Sequence, residues 1–170
     1  DVDYEDLEQV AVARGPGSFT AIRLAVTTAK SLAMVCDAQL HAPTTLRVMA
    51  EYASAREGLI TSILDARRGE FYVQSFRADE GGTEPVDEPY LVAPEDLSTK
   101  EESLVVFRGR DQDRPDLDGT VVPEAVSRPL ASGLVSIATS TGRERVENPD
   151  AVAPCYVRKS DAQRSQNGAG

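Results

Sequence analysis

Gly-Pro-Gly-Ser-Phe-Thr-Ala-Ile-Arg (15–23) joins a short apolar run, Val10-Ala11-Val12-Ala13, to a long run from Phe19 to Cys36 with helical periodicity. A strand that breaks at glycines and re-enters as a helix points the helix's first N–H groups into the connecting loop, because they have no partner within the helix. The stretch therefore reads as a strand–turn–helix corner of an α/β sheet. Corners of this kind bind anions or pack against partners. Leu7 to Ala13 reads as the strand, with the continuous apolar character of one buried on both faces. Ser18 or Thr20 is expected to cap the helix by accepting a backbone N–H bond, and Gly15, Gly17, Ser18 and Thr20 form a candidate anion or loop site.

Within the helix, Ile22, Val26, Ala29, Ala33 and Cys36 fall on one stripe, and Leu24, Thr28, Leu32 and Val35 on a second. Only Arg23, Thr27, Lys30 and Ser31 leave a polar edge. A helix apolar on most of its circumference must be covered on more than one side. Core burial and a protein interface both account for it.

Beyond this corner, Asp37 to His41 is expected to turn into a short strand, and a second helix is expected from Thr44 to about Ala55, with Leu46, Met49, Ala50 and Ala53 on one face. Glu57-Gly58 punctuates the chain. Leu59 to Leu64 and Glu70 to Arg77 read as a hairpin whose loop carries Arg67, Arg68 and Gly69. Residues 78–90 are expected to form a Gly/Glu/Pro-rich loop. Tyr90 to Val92 and Leu104 to Phe107 read as strands, Pro94 to Leu97 as a short helix, and Ala131 to Ala138 as a helix. The division expected is a first lobe at 1–57, a second lobe at 58–160 and a disordered tail at 161–170.

The formal net charge is −10, so the chain is not expected to wrap nucleic acid by itself, and any role with RNA needs a basic partner. No apolar stretch reaches the roughly 18 residues of a membrane span, and no basic-then-apolar leader is evident. Cys36 and Cys155 match no metal or redox spacing and are expected as free thiols in a cytoplasmic protein. The opening Asp1 to Glu8 reads as the approach to a strand, so a preceding portion of the first lobe is expected to be missing.

Several chemistries fail on residue type. No Gly-x-x-x-x-Gly-Lys-Ser/Thr phosphate loop is present, and Thr20 stands where a dinucleotide fingerprint needs its third glycine. Ser18 as a nucleophile would need a base, and the chain's only histidine is His41. The elbow pattern Gly-x-Ser-x-Gly is absent, and one histidine cannot supply a two-histidine metal motif. Asp65 and Glu70 bracket Arg67 and Arg68, where cross-strand ion pairing is the simplest use of the charges.

Four segments together resemble the TsaB (YeaZ) family: residues 15–23 with Thr28-Ala29-Lys30-Ser31-Leu32-Ala33 after them, Pro43-Thr44-Thr45-Leu46, Ile63 to Tyr72, and Pro154-Cys155-Tyr156-Val157-Arg158. The resemblance implies an α/β actin-like ATPase (RNase H-like) fold of two mixed-sheet lobes with helices, the first lobe incomplete. Family members open with a strand and a phosphate-binding turn near an Asp-Thr-Ser, which this sequence lacks. Ala21 stands at a position that is usually glycine. Asp65 is followed by Ala66-Arg67-Arg68 where catalytic relatives have an Asp-x-Gly phosphate turn. The metal-ligating histidine pair of the catalytic paralogue TsaD has no counterpart.

The resemblance implies a non-catalytic subunit that makes threonylcarbamoyladenosine in tRNA together with a TsaD-like paralogue and a TsaE-like ATPase. It also implies self-association of the intact family, contact with tRNA only through the complex, and no cofactor held by this chain alone. The expected docking residues are Phe19, Ile22, Arg23, Val26, Ala29, Lys30 and Ala33, with Asp65, Arg67, Arg68 and Glu70 as a structural hairpin. A glycoprotease-type hydrolase and a stand-alone nucleotide-binding module are the competing readings.

Overall fold

A computed structural model describes residues 3–80, 82–100, 102–122, 128–140 and 144–158. The tail expected at 161–170 lies outside the described residues. Strand β1 (Gln9–Ala11), helix α1 (Phe19–Val35) and strand β2 (Gln39–His41) form one β–α–β unit. The strands pair in parallel, with Gln9 opposite Gln39 and Ala11 opposite His41. Val12 N–H donates to His41 O and Arg14 N–H to Pro43 O, both at 2.9 Å, extending the pairing past the strand proper. Pro43 has no N–H to return, so the regular ladder cannot continue.

The strand expected over Leu7 to Ala13 is thus shorter. It is also buried alternately and not on both faces: Val10 and Val12 are in the core while Gln9 is exposed. Against them α1 lays Ile22, Val26, Ala29 and Ala33, joined by Ala38, Leu40 and Ala42. The alanines let the helix sit close to a sheet of only two described strands.

Helix α2 (Thr45–Ala50) is buried over its whole length, Arg47 included. Thr44 starts it as expected: its Oγ1 accepts Arg47 N–H at 3.0 Å and donates to Gln74 Oε1 at 3.2 Å. The α-form ends at Ala50 and tightens into a 3₁₀ turn at Glu51–Ala53, short of the expected Ala55. Helix α3 (Leu130–Thr139) packs on α2 through Gly133, where an added Cβ would lie 2.9 Å from the Val48 carbonyl.

Among the described residues the large sheet has six strands: β3 (Gly58–Asp65), β4 (Phe71–Asp79), β5 (Gly82–Pro85), β6 (Tyr90–Val92), β7 (Leu104–Arg108) and β8 (Thr120–Val121). Their order is β5-β4-β3-β7-β8, with β6 also on β4. β3 and β4 form the expected antiparallel hairpin, Gly58 opposite Ala78 and Asp65 opposite Phe71, while β7 and β8 join in parallel. Both faces are covered. Ile60, Tyr72, Phe76 and Val106 meet α2 on one side; Ile63, Phe71, Val73, Val105 and Phe107 form a second cluster on the other. The stretch 78–90, read as a loop, in fact contains β5. Its proline is tolerated because the strand lies on an edge and Pro85 closes it.

Residues 144–158, counted with the second lobe from the sequence, run back along the first. Val146 N–H donates to Leu40 O at 2.8 Å, His41 and Arg145 form an antiparallel bridge, and Cys155 N–H donates to Arg14 O at 2.7 Å. The segment 154–158 is an extended strap, tied to the glycine corner by that backbone bond.

Candidate binding cleft between the glycine turn and the hairpin

The glycine corner forms one wall of a cleft. Gly15 adopts φ +107°, and a Cβ there would lie 2.8 Å from the Cys155 carbonyl oxygen, so only glycine lets the strap approach. Gly15 O accepts Thr45 N–H at 2.7 Å, tying the turn to α2. Ser18 occupies the N-cap position of α1, but its hydroxyl accepts no capping bond, contrary to expectation. Ser18 and Thr20 are both exposed, and Ser18 faces the cleft.

The hairpin turn forms the opposite wall. Asp65 Oδ1 accepts Arg67 N–H at 2.6 Å, and Ala66 N–H donates to Glu70 O at 2.9 Å. Arg67, Arg68 and Gly69 take φ of 59°, 60° and 74°, three successive left-handed residues that thrust both arginines outward. The charges of the hairpin are also used beyond it. Glu70 pairs with Nη2 of Arg158 at 2.5 Å, because the strap brings that guanidinium across the turn. The same Nη2 reaches Arg67 O at 3.4 Å, and the guanidinium lies 6.0 Å from the Tyr72 ring centroid.

Between the walls lies a space of about 590 Å³, with Cys155, Tyr156 and Val157 of the strap along it. Phe19 and Tyr156 stack at 5.1 Å between centroids, and Arg23 lies 5.1 Å over Phe19. On the far side of the turn a second groove of about 870 Å³ runs past Arg67, Arg68, Arg108 and Arg110, at the carboxyl ends of the parallel strands β3 and β7. Burial pushes the Cys155 thiol up, with Arg14 pulling the other way, which disfavours the reactive thiolate.

A buried polar cluster sits under α2. Arg47 pairs with Glu51 at 2.8 Å and lies 3.5 Å from Glu144, and Ser136 donates to Glu51 at 2.7 Å. Burial raises the Glu144 carboxyl, with Arg47 and Arg14 opposing. His41 is 3% exposed with Nδ1 unpartnered, and burial, then Arg145, lowers its pKa. Among the described residues no group of three or more His, Cys, Asp or Glu side chains could hold a metal ion. No helix among them is long and apolar enough to cross a membrane.

The structure divides the docking residues expected on α1. Ile22, Val26, Ala29 and Ala33 are buried against this chain's own β1 and β2, which corrects their assignment to a partner surface. Lys30 holds the strap, its Nζ donating to Asp150 O at 2.8 Å and Val152 O at 3.3 Å. Phe19 and Arg23 remain outward. The open face of the helix is instead Leu24, Met34 and Val35, exposed by 68%, 59% and 81%. Leu24 and Val35 were visible in the sequence as the second stripe. Met34 lay outside both stripes and was missed.

Comparison with known proteins completes the picture. The family model for TsaD, tRNA N6-adenosine threonylcarbamoyltransferase, matches residues 1–106. The Bacillus subtilis tRNA threonylcarbamoyladenosine biosynthesis protein TsaB is 31% identical over 175 residues, covering 96% of this chain and 75% of that protein. Its Escherichia coli namesake is 31% identical over 170 residues, covering 92% and 73%. YeaZ from Pseudomonas aeruginosa superposes with a TM-score of 0.69 at 20% identity over 91% of this chain and 76% of that one. A structure described as an uncharacterized Pseudomonas aeruginosa protein with similarity to peptidase YeaZ gives 0.65 at 24% identity over 92% and 76%. These structural likenesses identify the fold as actin-like (RNase H-like). With that fold and relatives above 30% identity over most of its length, the chain belongs to the TsaB (YeaZ) family.

Proposed function

We propose that this chain is a non-catalytic scaffold and activating subunit in the formation of threonylcarbamoyladenosine in tRNA. The names of its Bacillus subtilis and Escherichia coli relatives support the reaction. The observation that carries the scaffold role is the outward face of α1, where Leu24, Met34 and Val35 stand in solvent on a helix already fully packed on its other side. Apolar area of this kind gains about 25 cal/mol per Å² when a partner covers it.

The partner in this reading is a TsaD-like catalytic paralogue in the cytoplasm, with a TsaE-like ATPase joining the pair. The same face serves self-association when the paralogue is absent. Productive contact with tRNA is made in the assembled complex, and the chain holds no cofactor by itself. The test is capture of the paralogue by Leu24→Glu and Val35→Glu variants. Both positions point to solvent, so the fold should persist while capture falls at least tenfold; unchanged capture by folded variants would exclude this face.

The glycoprotease-type hydrolase finds less support. His41 is buried at 3% exposure beside Arg145, and Ser18 sits in the open mouth of the cleft, so the chain's one histidine is not placed to serve that hydroxyl. Cleavage of a protein or peptide by the purified chain, abolished in Ser18→Ala, would reinstate it.

A further inference from the structure

We infer that the cleft and the groove beyond the hairpin form one track for a single-stranded RNA segment, a base stacking on Tyr156 and the backbone phosphates running along Arg67 and Arg68 towards Arg108 and Arg110. The inference rests on the proposed role for the source of the RNA and adds that this chain touches the RNA itself.

Three observations carry it. First, the aromatic surface is open. Phe19 and Tyr156 are each 48% exposed although stacked on one another. A ring with one face satisfied and the other in a cleft is a platform for a flat partner, and Arg23 over Phe19 holds it in place. Base–aromatic stacking is indifferent to sequence, because every base has a π-face.

Second, the charge is local and opposite to that of the molecule. Arg67, Arg68, Arg108 and Arg110 rim one groove in a chain of net charge −10. At 0.1 M salt charges beyond about 10 Å are largely screened, so a phosphate in the groove feels these arginines more than the distant acids. The same lining carries Asp65, Glu70 and Asp113, of which Asp113 pairs with Arg110 at 2.7 Å and Glu70 with Arg158 at 2.5 Å, so four arginines face three carboxylates and the balance of the groove stays positive.

Third, the two depressions are not separate pits. The Arg67-Arg68 turn lines both, so it is a ridge with aromatic surface on one flank and arginines on the other. A compact nucleotide would fill one side alone. A chain of nucleotides matches both, since bases and phosphates alternate along it. The left-handed backbone at Arg67 and Arg68 is what lifts the two guanidinium groups onto the crest.

The test is fluorescence anisotropy of a labelled single-stranded oligoadenylate of about ten nucleotides, a length within the usual span of such sites, titrated with the full chain at 0.1 M salt. Wild type should bind. Arg67→Glu with Arg68→Glu should weaken binding at least tenfold and flatten the dependence of log K on log salt by about 1.4, at roughly 0.7 per lost phosphate contact. Tyr156→Ala should weaken it about tenfold and Tyr156→Phe should leave it unchanged, the separation expected of stacking. No binding by wild type, wild-type binding by the arginine variant, equal loss in Tyr156→Phe and Tyr156→Ala, or equally tight binding of AMP or of duplex RNA would each overturn the track. Capture of the paralogue through Leu24 and Val35 is read separately. Its survival without RNA binding removes the track alone, and its loss with RNA binding intact removes the scaffold role alone.

Discussion

Arg158 reaches across the hairpin turn to donate from Nη2 to the Glu70 carboxylate at 2.5 Å, so the last described residue of the strap is anchored to the large sheet. The same strap is held to the small sheet by Cys155 N–H on Arg14 O at 2.7 Å. Four residues, Cys155 to Arg158, therefore bridge the two halves of the cleft. Arg158→Ala leaves Glu70 without that partner and the strap without this anchor on the large sheet. A charge-assisted bond of this kind contributes about 1.5–3 kcal/mol, and the Arg158 side chain is largely withdrawn from water. The urea midpoint should fall accordingly, and Arg158→Lys should recover only part of the loss, because a shorter side chain ending in an ammonium gives up the planar guanidinium that lies 6.0 Å from the Tyr72 ring centroid.

The two sides of α1 should respond in opposite ways to substitution. Ala33 is packed into the small-sheet cluster, so Ala33→Leu overpacks it and should cost about 1–3 kcal/mol in thermal or urea unfolding. Leu24→Glu, on the exposed side, should leave the unfolding midpoint within about 0.5 kcal/mol of wild type. Equal destabilisation by both would mean that the outward face is packed as well.

How far the sequence disclosed this arrangement follows from the range of each interaction. The corner at 15–23, the start of α2 near Thr44 and the hairpin of β3 and β4 were legible because glycine conformation, helical periodicity and alternation act within a few residues. Helix α1 was legible as a helix but not in its orientation. Its two stripes are both apolar, and only the small-sheet cluster decides that Ile22, Val26, Ala29 and Ala33 go inward while Leu24 and Val35 stay out. Edge strand β5 was hidden by its glycine and proline, residues that read as loop until a neighbouring strand supplies the pairing. The cleft depended on the partnership of Glu70 and Arg158, and no local pattern links residues that distant in sequence. Phe19 and Tyr156 meet for the same reason, at a distance only the strap's path sets.

Stability should fall on the acid side of neutrality through His41. Burial lowers its pKa in the folded chain below the ordinary 6.5, so the unfolded chain takes up a proton that the folded one refuses. Its contribution is therefore fully present above about pH 6.5 and is lost as pH falls from there towards the depressed folded value. Glu144 works in the opposite sense: with its carboxyl raised above 4.5, it favours the folded state at low pH and loses that contribution as pH rises through the raised value. Unfolding free energy measured from pH 7.5 down to pH 5.5 should decline in wild type and decline less in His41→Gln. Parallel curves would remove His41 from the account.

Gly15 offers the sharpest single-residue test of the corner. Its φ of +107° is one that L side chains rarely adopt, and a methyl group there would meet the Cys155 carbonyl oxygen at 2.8 Å and Ile22 Cδ1 at 3.0 Å. The backbone on both sides is fixed, by Thr45 N–H on Gly15 O and by Cys155 N–H on Arg14 O, so the clash cannot be relieved by a small local shift. Gly15→Ala should cost about 1–3 kcal/mol for the backbone strain alone, and the strap should yield before the helix does. Displacing it uncovers Cys155, whose thiol burial pushes up in the intact cleft. Alkylation of Cys155 should then be faster in Gly15→Ala than in wild type, with Cys36, on the far end of α1, reacting at an unchanged rate as the internal control. An unchanged Cys155 rate together with an unchanged midpoint would show that the turn and the strap are not held against each other.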